Sequence, residues 1–182
     1  MALMTAYGSA ITSTGKPPQA INQNGTAHGR VRKLYSTYTT VASTFETDSI
    51  LYIGLFNSNA RIGDIRFYTD GGDTNGTLDV GVYRAVLSNG GIEFTVIDRD
   101  IFASAKATGT AILHGAAANT VFTESTTLTD QHRYRQLWDL ASVSTSTYTA
   151  DPGGVLAICA TAAATLDGAN KMCFDIDYIA ND

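Results

Sequence analysis

The sequence has few of the residues that build catalytic, metal-binding or disulfide-linked proteins. Its 182 residues include two cysteines, three histidines and one tryptophan, and only 16% of them are charged, against about 25% in an average globular domain. It contains no G-x-S-x-G, H-E-x-x-H, P-loop or G-x-G-x-x-G pattern. We therefore expect a protein that is not an enzyme and that uses no metal or cofactor.

Long apolar runs are also absent, and the N-terminus lacks a basic region followed by an apolar stretch. We therefore expect no membrane-spanning helix and no signal peptide, and a soluble protein that is not exported by that route. At this length the chain can bury one core, which indicates one domain with or without an arm. The apolar neighbours of Cys159 and Cys173 favour buried free thiols over a disulfide or a metal site.

Acidic residues are missing from the first 45 positions, which hold Lys16, Arg30, Arg32 and Lys33. All 17 acidic residues lie from Glu46 onward, where eight cations leave a net charge of −9. The chain is thus an acidic body with a basic N-terminal region. Because an acidic body repels phosphate, we expect no nucleic-acid partner.

Residues 1–29 are predicted to be an extended arm. Scattered glycine, serine and threonine and the Lys16-Pro17-Pro18 turn leave no sustained period of 2 or 3.6. Isolated apolar side chains are typical of a segment that lies in a groove or along a sheet edge of a partner. The alternative is an N-terminus that has no partner.

Residues 30–182 are predicted to form a mainly β domain, an antiparallel β-sandwich of jelly-roll type with one or two short helices. Ile50–Phe56 is a continuous apolar run, typical of a strand covered on both faces. Val31–Val41 has no clean apolar face and is predicted to be an edge or interface strand. Met172–Ile179 should turn Phe174, Ile176 and Tyr178 inward and Asp175 and Asp177 outward.

Other assignments rest on shorter patterns. Asp70–Asp79 contains Asn75-Gly76 and is predicted to be a hairpin turn rather than a calcium loop, because the spacing of its oxygen ligands does not fit. Short helices are predicted from Asp98 to Ala105 and from Thr129 to Leu140. Trp138, in the second helix, is expected to pack in the core rather than to stack on a sugar.

The order of several motifs resembles a group of small structural proteins of tailed bacteriophages, thought to be head decoration (cement) proteins. The resemblance spans Ile50–Ile179 and rests on I-x-D-I-R-F-Y-T-D, T-L-D-V-G-V-Y-R, I-D-R-D-I-F-A-S, Y-R-Q-L-W-D-L and F-D-I-D-Y-I. It implies a virion protein on the capsid surface, made in the host cytoplasm and without catalytic residues, that binds the major capsid protein. We also expect it to associate with itself as a trimer or dimer.

The arm is the predicted attachment site. We expect its apolar anchors to be Leu3, Tyr7, Ile11 and Ile21. Acidic capsid patches would meet Lys16, Arg30, Arg32 and Lys33. The alternative function is a tail or head-surface module that binds a host glycan or receptor through exposed aromatic side chains such as Tyr68, Tyr83 or Tyr148.

Overall fold

A computed structural model of the protein describes residues 5–7, 31–40, 45–88, 91–125 and 127–180, with residues 5–7, 87 and 88 described by their backbone only. The strands are β1 (Thr5–Tyr7), β2 (Val31–Thr39), β3 (Ile50–Asn57), β4 (Arg61–Thr69), β5 (Thr77–Ser88), β6 (Gly91–Ala107), β7 (Val155–Ala164) and β8 (Lys171–Ile179). Helical structure in these residues comprises α1 (Leu137–Leu140) and 3-10 turns at Ala117–Asn119 and Asp130–His132.

The strands form two sheets, in the orders β1-β3-β7-β5-β6 and β2-β8-β4. β1 pairs with β3 in parallel, and the other pairs are antiparallel. From β2 onward this is the strand order of a jelly roll. The place beside β4 is taken by irregular chain that makes single bridges to it at Ile112, Thr120 and Gln136. The predicted β-sandwich is confirmed.

The main core lies between the two sheets. Branched and aromatic side chains on alternate positions point inward from both sides, because successive residues of a strand face opposite ways. The rings of Phe56 on β3 and Tyr178 on β8 meet edge to face across the sandwich, with their centroids 5.1 Å apart. Phe67 and Phe174, on neighbouring strands, are also fully buried. This packing fixes which face of each sheet is left for other contacts.

Several strand predictions are confirmed. β2 is an edge strand of the three-stranded sheet. β3 is largely buried along its length, and β8 turns Phe174, Ile176 and Tyr178 into the core. Cys159 is a buried free thiol, whereas Cys173 is a free thiol that is only half-buried. Trp138 packs against the core, and its indole N–H donates to Oε1 of Gln136 at 2.8 Å.

The predicted hairpin around Asn75-Gly76 is wrong. β4 and β5, on either side of this segment, belong to different sheets, so Asp70–Gly76 crosses from one sheet to the other. Buried polar contacts hold the crossing, since Asp73 is 2% exposed and accepts a hydrogen bond from Oγ1 of Thr108 at 2.7 Å. The antiparallel pairing of β5 with β6 instead ends at Ser88 and Gly91, either side of Asn89-Gly90.

The predicted helices are wrong in one case and shorter than expected in the other. Asp98–Ala105 lies within β6, and Asp98 accepts a hydrogen bond from the hydroxyl of Ser144 instead of capping a helix. Between the 3-10 turn and α1, Tyr134 has a φ of +61°, which ends helical geometry. α1 therefore has only four residues. No helix in the described residues is long and apolar enough to cross a membrane.

Candidate interaction surface

The face of the three-stranded sheet that points away from the core, here called the outer face, collects the polar positions of its strands. β8 runs between β2 and β4, so their outward side chains come into line. Register places Lys33 and Asp64 beside Asp177, and Tyr35 and Arg66 beside Asp175. Because inward and outward residues alternate, packing the core on one side forces this set onto the other.

Three carboxylates of β4 and β8 form one network with three cations on the outer face. Arg66 is central, with its guanidinium nitrogens 2.9 Å from Asp64, 3.3 Å from Asp175 and 3.0 Å from Asp177. Lys33 Nζ lies 3.3 Å from Asp175 and 3.1 Å from Asp177. Arg133, from the segment before α1, reaches Asp64 at 2.7 Å. The network therefore joins three strands and a loop.

The carboxylates of the network are more buried than its cations. The side chain of Asp175 is 6% exposed and that of Lys33 is 46% exposed. The hydrogen bond to Asp177 raises the pKa of Lys33 above its ordinary value. Burial alone would lower the pKa of Arg66, but its neighbouring carboxylates outweigh burial and raise that pKa overall. The cations thus stay charged and neutralise the acids beneath them.

Two adjoining hollows lie beside the network. One, of about 550 Å³, is lined mainly by apolar and hydroxyl-bearing side chains of β2, β4 and β8 and by Leu113. The other, of about 370 Å³, includes Lys33, Tyr35 and Arg66 in its lining. Tyr68 and His114 line both hollows and stack with their ring centroids 5.9 Å apart.

Large apolar side chains are exposed on the outer face and at its edge. Leu113 is 69% exposed, Tyr35 55% and Val31 52%. Such side chains beside a neutralised ion network resemble the centre and rim of a protein interface more than an ordinary solvated sheet face. Chemically, the outer face is able to bind a partner by apolar contact and by charge pairing.

The structure places only part of the predicted attachment site. Lys33 lies on the outer face, and Arg32, the next residue back on β2, faces the other way and is half-buried. Tyr7 belongs to β1, where it pairs with Tyr52, but its side chain is not described. The other predicted attachment residues lie outside the described residues: Leu3, Ile11, Lys16, Ile21 and Arg30.

Sequence reasoning missed Tyr35, Leu113 and Arg66. The signal for Tyr35 was present, because Val31–Val41 showed no clean apolar face and was expected to be an edge or interface strand. Leu113 and Arg66 carried no such signal, since their position depends on how the chain crosses between the two sheets.

The aromatic side chains proposed for a glycan site divide into two groups. Tyr68 and Tyr148 are half-buried, and the hydroxyl of Tyr148 accepts a hydrogen bond from the guanidinium of Arg84 at 3.1 Å. Tyr83 is 0% exposed, so its assignment as an exposed aromatic was wrong. In the described residues, no group of three His, Cys, Asp or Glu side chains is placed to hold a metal ion.

Two solved structures share the fold. One is a chain of the capsid of Ralstonia phage GP4, with a TM-score of 0.56 and 13% identity, over 100% of this chain and 99% of that one. The other is a chain of the cyanophage Pam1 capsid asymmetric unit, with a TM-score of 0.50 and 14% identity, over 87% and 92%. No protein-family model and no curated protein matches the sequence. At these identities the likeness is one of fold.

Proposed function

We propose that this chain is a non-enzymatic structural protein of a bacteriophage virion, which binds the major capsid protein lattice from outside and stabilises the head as a decoration (cement) protein. The supporting observation is that a chain of a phage capsid matches its fold with a TM-score of 0.56, in a comparison that covers 100% of this chain. The order of its sequence motifs points to the same class. The proposed location is the capsid surface.

The mechanism would be mechanical. A capsid lattice is weakest at the seams between subunits, and a sandwich seated over a seam adds buried area that resists the pressure of packaged DNA. The affinity of each single contact can be low, because self-association into a trimer or dimer and the many copies on one shell raise the overall avidity.

Attachment is assigned to the arm together with β2. The arm supplies apolar anchors and cations that suit acidic capsid patches. Arg30 directly precedes β2, whose exposed Val31 and Tyr35 belong to the outer face. Arm and outer face would therefore form one continuous contact surface, in which the charge of Lys33 is already partly satisfied by Asp175 and Asp177.

Truncation of the arm tests this assignment. Co-sedimentation with undecorated heads of the encoding phage compares the full-length protein with a version that lacks residues 2–28, after circular dichroism has shown that both are folded. We expect saturable binding by the full-length protein and at least a tenfold loss for the truncated one, about 1.4 kcal/mol or more. Equal binding by both would show that the arm is not the anchor.

A glycan- or receptor-binding module is the second candidate. The observation that favours it is the stack of Tyr68 on His114 between the two hollows, since a planar aromatic surface suits a sugar ring. A glycan array probed with the wild-type protein and with Tyr68→Ala distinguishes the two functions. Glycan binding that Tyr68→Ala abolishes would support this candidate, and binding to no glycan would reject it.

A further inference from the structure

Leu113 projects into solvent from a turn that is held at both ends. Before it, the N–H of Ile112 donates to the carbonyl of Thr69 on β4 at 2.9 Å, and its carbonyl accepts from the Thr69 N–H at 3.2 Å. After it, the N–H of Ala116 donates to the carbonyl of Leu113 at 3.1 Å, and the ring of His114 stacks on an aromatic ring of β4. Leu113 itself is 69% exposed. Because this backbone is already ordered, burying the leucine against a partner costs little further conformational entropy.

The larger hollow of the outer face lies directly beside this turn. Its volume of about 550 Å³ falls within the range of about 300–1,000 Å³ in which proteins bind small molecules, so it admits a branched side chain. Ile112, Met172 and Cys173 contribute apolar atoms to its lining, and Leu113 is part of its wall. An exposed leucine and an apolar hollow therefore lie side by side on one face of the molecule.

A protrusion and a hollow on the same face are complementary to a second copy of that face. In a two-fold dimer both copies present the same surface, so a residue i of one chain meets a residue j of the other, and the reverse. Leu113 of each copy would enter the hollow of the other, and both contacts would form together. A head-to-tail contact needs two different surfaces of the molecule, whereas here both halves of the contact lie on one.

The charges at this hollow also suit a second copy. The chain carries a net charge of −5, which makes two copies repel one another in most orientations. The hollow, however, is lined by one carboxylate and one ammonium, those of Asp70 and Lys171, and both residues are exposed. Within the described residues the Lys171 ammonium makes no ion pair, while its backbone N–H donates to Asp70 at 2.9 Å. A two-fold arrangement brings that ammonium towards Asp70 of the other copy.

The hollow lies at the end of β2 that is remote from the arm. Its lining includes Thr39, the last residue of β2, whereas the exposed Val31 is the first. Eight steps of about 3.3 Å place these two ends of the strand about 26 Å apart. A second copy at the hollow would therefore leave Val31, at the other end, open to the capsid.

We propose that two copies of this chain associate through their outer faces about a two-fold axis, with Leu113 of each copy inserted in the larger hollow of the other. The proposal rests on the proposed function in that it specifies the self-association included there. The contact is a property of the free protein and forms without the capsid. Each attachment to a head would then be made by a pair of chains, which raises avidity.

Sedimentation equilibrium of the full-length protein, without heads, measures this contact. We expect a reversible dimer whose dissociation constant rises at least about a hundredfold in Leu113→Asp, because one substitution removes two equivalent contacts. The matched control is Val96→Asp, which replaces another exposed apolar side chain, on β6 of the other sheet, and should leave the constant unchanged. Circular dichroism checks that both variants fold. A monomer at every concentration, a trimer, or a dimer that Leu113→Asp leaves intact would overturn the proposal.

A disulfide tests the geometry of the contact. Cys173 lines the hollow, and Cys159 is 0% exposed and does not react. Leu113→Cys/Cys173→Ser is mixed with the wild type, at a concentration where the wild type is dimeric, and oxidised with copper phenanthroline. We expect a band of dimer mass in the mixture and in neither protein alone. No band in the mixture, or an equal band in the variant alone, would overturn the placement of Leu113 in the hollow.

Binding to phage heads is measured separately, so the two proposals fail independently. A protein that dimerises through Leu113 but does not sediment with heads would contradict the capsid role and leave the dimer contact standing. A monomeric protein that binds heads saturably would overturn the dimer contact and leave the capsid role standing.

Discussion

Arg66 is the residue on which the outer-face network depends, because it alone contacts all three carboxylates of the network. Asp175 lies beneath it with little solvent to replace a lost partner, since its side chain is 6% exposed. Removing one partner of a buried charge costs far more than an exposed ion pair contributes. The network is therefore a stability element as well as part of a surface.

Replacing Arg66 should lower stability measurably. We expect Arg66→Ala to reduce the free energy of unfolding by about 1–3 kcal/mol, because Asp64, Asp175 and Asp177 are left to repel one another. Urea denaturation at neutral pH measures the change. Arg61→Ala, on the same strand and with an exposed hydrogen bond to the Tyr134 carbonyl, serves as the control and should stay within about 0.5 kcal/mol. Equal effects of the two substitutions would contradict the network's role.

Because Tyr83 is buried, we expect the free energy of unfolding to fall in alkaline solution. Burial raises its pKa to about 12, from 10.0 for an ordinary tyrosine. The unfolded chain gives up this proton first, so stability should fall by about 2–3 kcal/mol as pH rises from about 10 to 12. Lys33 acts in the same direction, because its pKa in the folded protein is raised above the ordinary lysine value. Its ion pairs stabilise the fold at pH values below that ordinary pKa, and this contribution is lost as the pH rises through the pKa of the folded protein.

Tyr83→Phe separates the tyrosine's part of this effect. The variant should lose about 1 kcal/mol at pH 7 with its hydrogen bond to Thr161, and its stability should fall less steeply with pH than that of the wild type. Thermal or urea unfolding at steps from pH 8 to 12 gives both profiles. Parallel profiles would mean that Tyr83 ionises as readily in the folded protein as in the unfolded one.

Among the secondary-structure elements, β6 is a strand in which the sequence pattern wrongly predicted a helix. Between the pairs Val82 with Asp98 and Val80 with Ala103, β5 advances two residues and β6 advances five. The extra residues of β6 form a bulge, so Ile101, Phe102 and Ala103 are buried in succession. A run of this kind, with Ile101 and Ala105 four apart, has the pattern of a short helix.

The bulge requires a glycine opposite it. A Cβ on Gly81 of β5 would overlap the carbonyl oxygens of Asp98 and Arg99. We expect Gly81→Ala to lower the free energy of unfolding by about 2–4 kcal/mol, by forcing the two strands apart. Gly91→Ala is the control, because nothing lies within 4 Å of a Cβ built there. Comparable melting temperatures of the two variants would contradict this description of the bulge.

Other elements were predictable because a single local pattern determines them. β8 alternates strictly, and β3 is a continuous apolar run bounded by polar residues. The crossing at Asp70–Gly76 was not predictable in the same way. Asn-Gly favours a tight turn wherever it occurs. The crossing instead depends on Asp73, whose hydrogen-bond partners are distant in sequence: Thr108 is 35 residues away and the backbone N–H of Asp167 is 94 residues away.

At the scale of the whole molecule, the strand patterns indicated the fold class, and the distribution of charge indicated a basic N-terminal region and an acidic body. They did not give the outer face, because that surface depends on how β2, β4 and β8 come together from distant parts of the chain. The exposed side chains of Tyr35 and Leu113, together with Lys33, become one surface only in the folded sandwich. A surface of this kind is recognised from the structure rather than from a sequence motif.

Binding of the full-length protein to undecorated phage heads tests the central proposal most directly. Co-sedimentation over a range of protein concentrations should give saturable binding with a fixed number of copies per head, and the decorated heads should withstand higher temperature before releasing DNA. Absence of binding at concentrations well above those expected for a multivalent contact would contradict a capsid role.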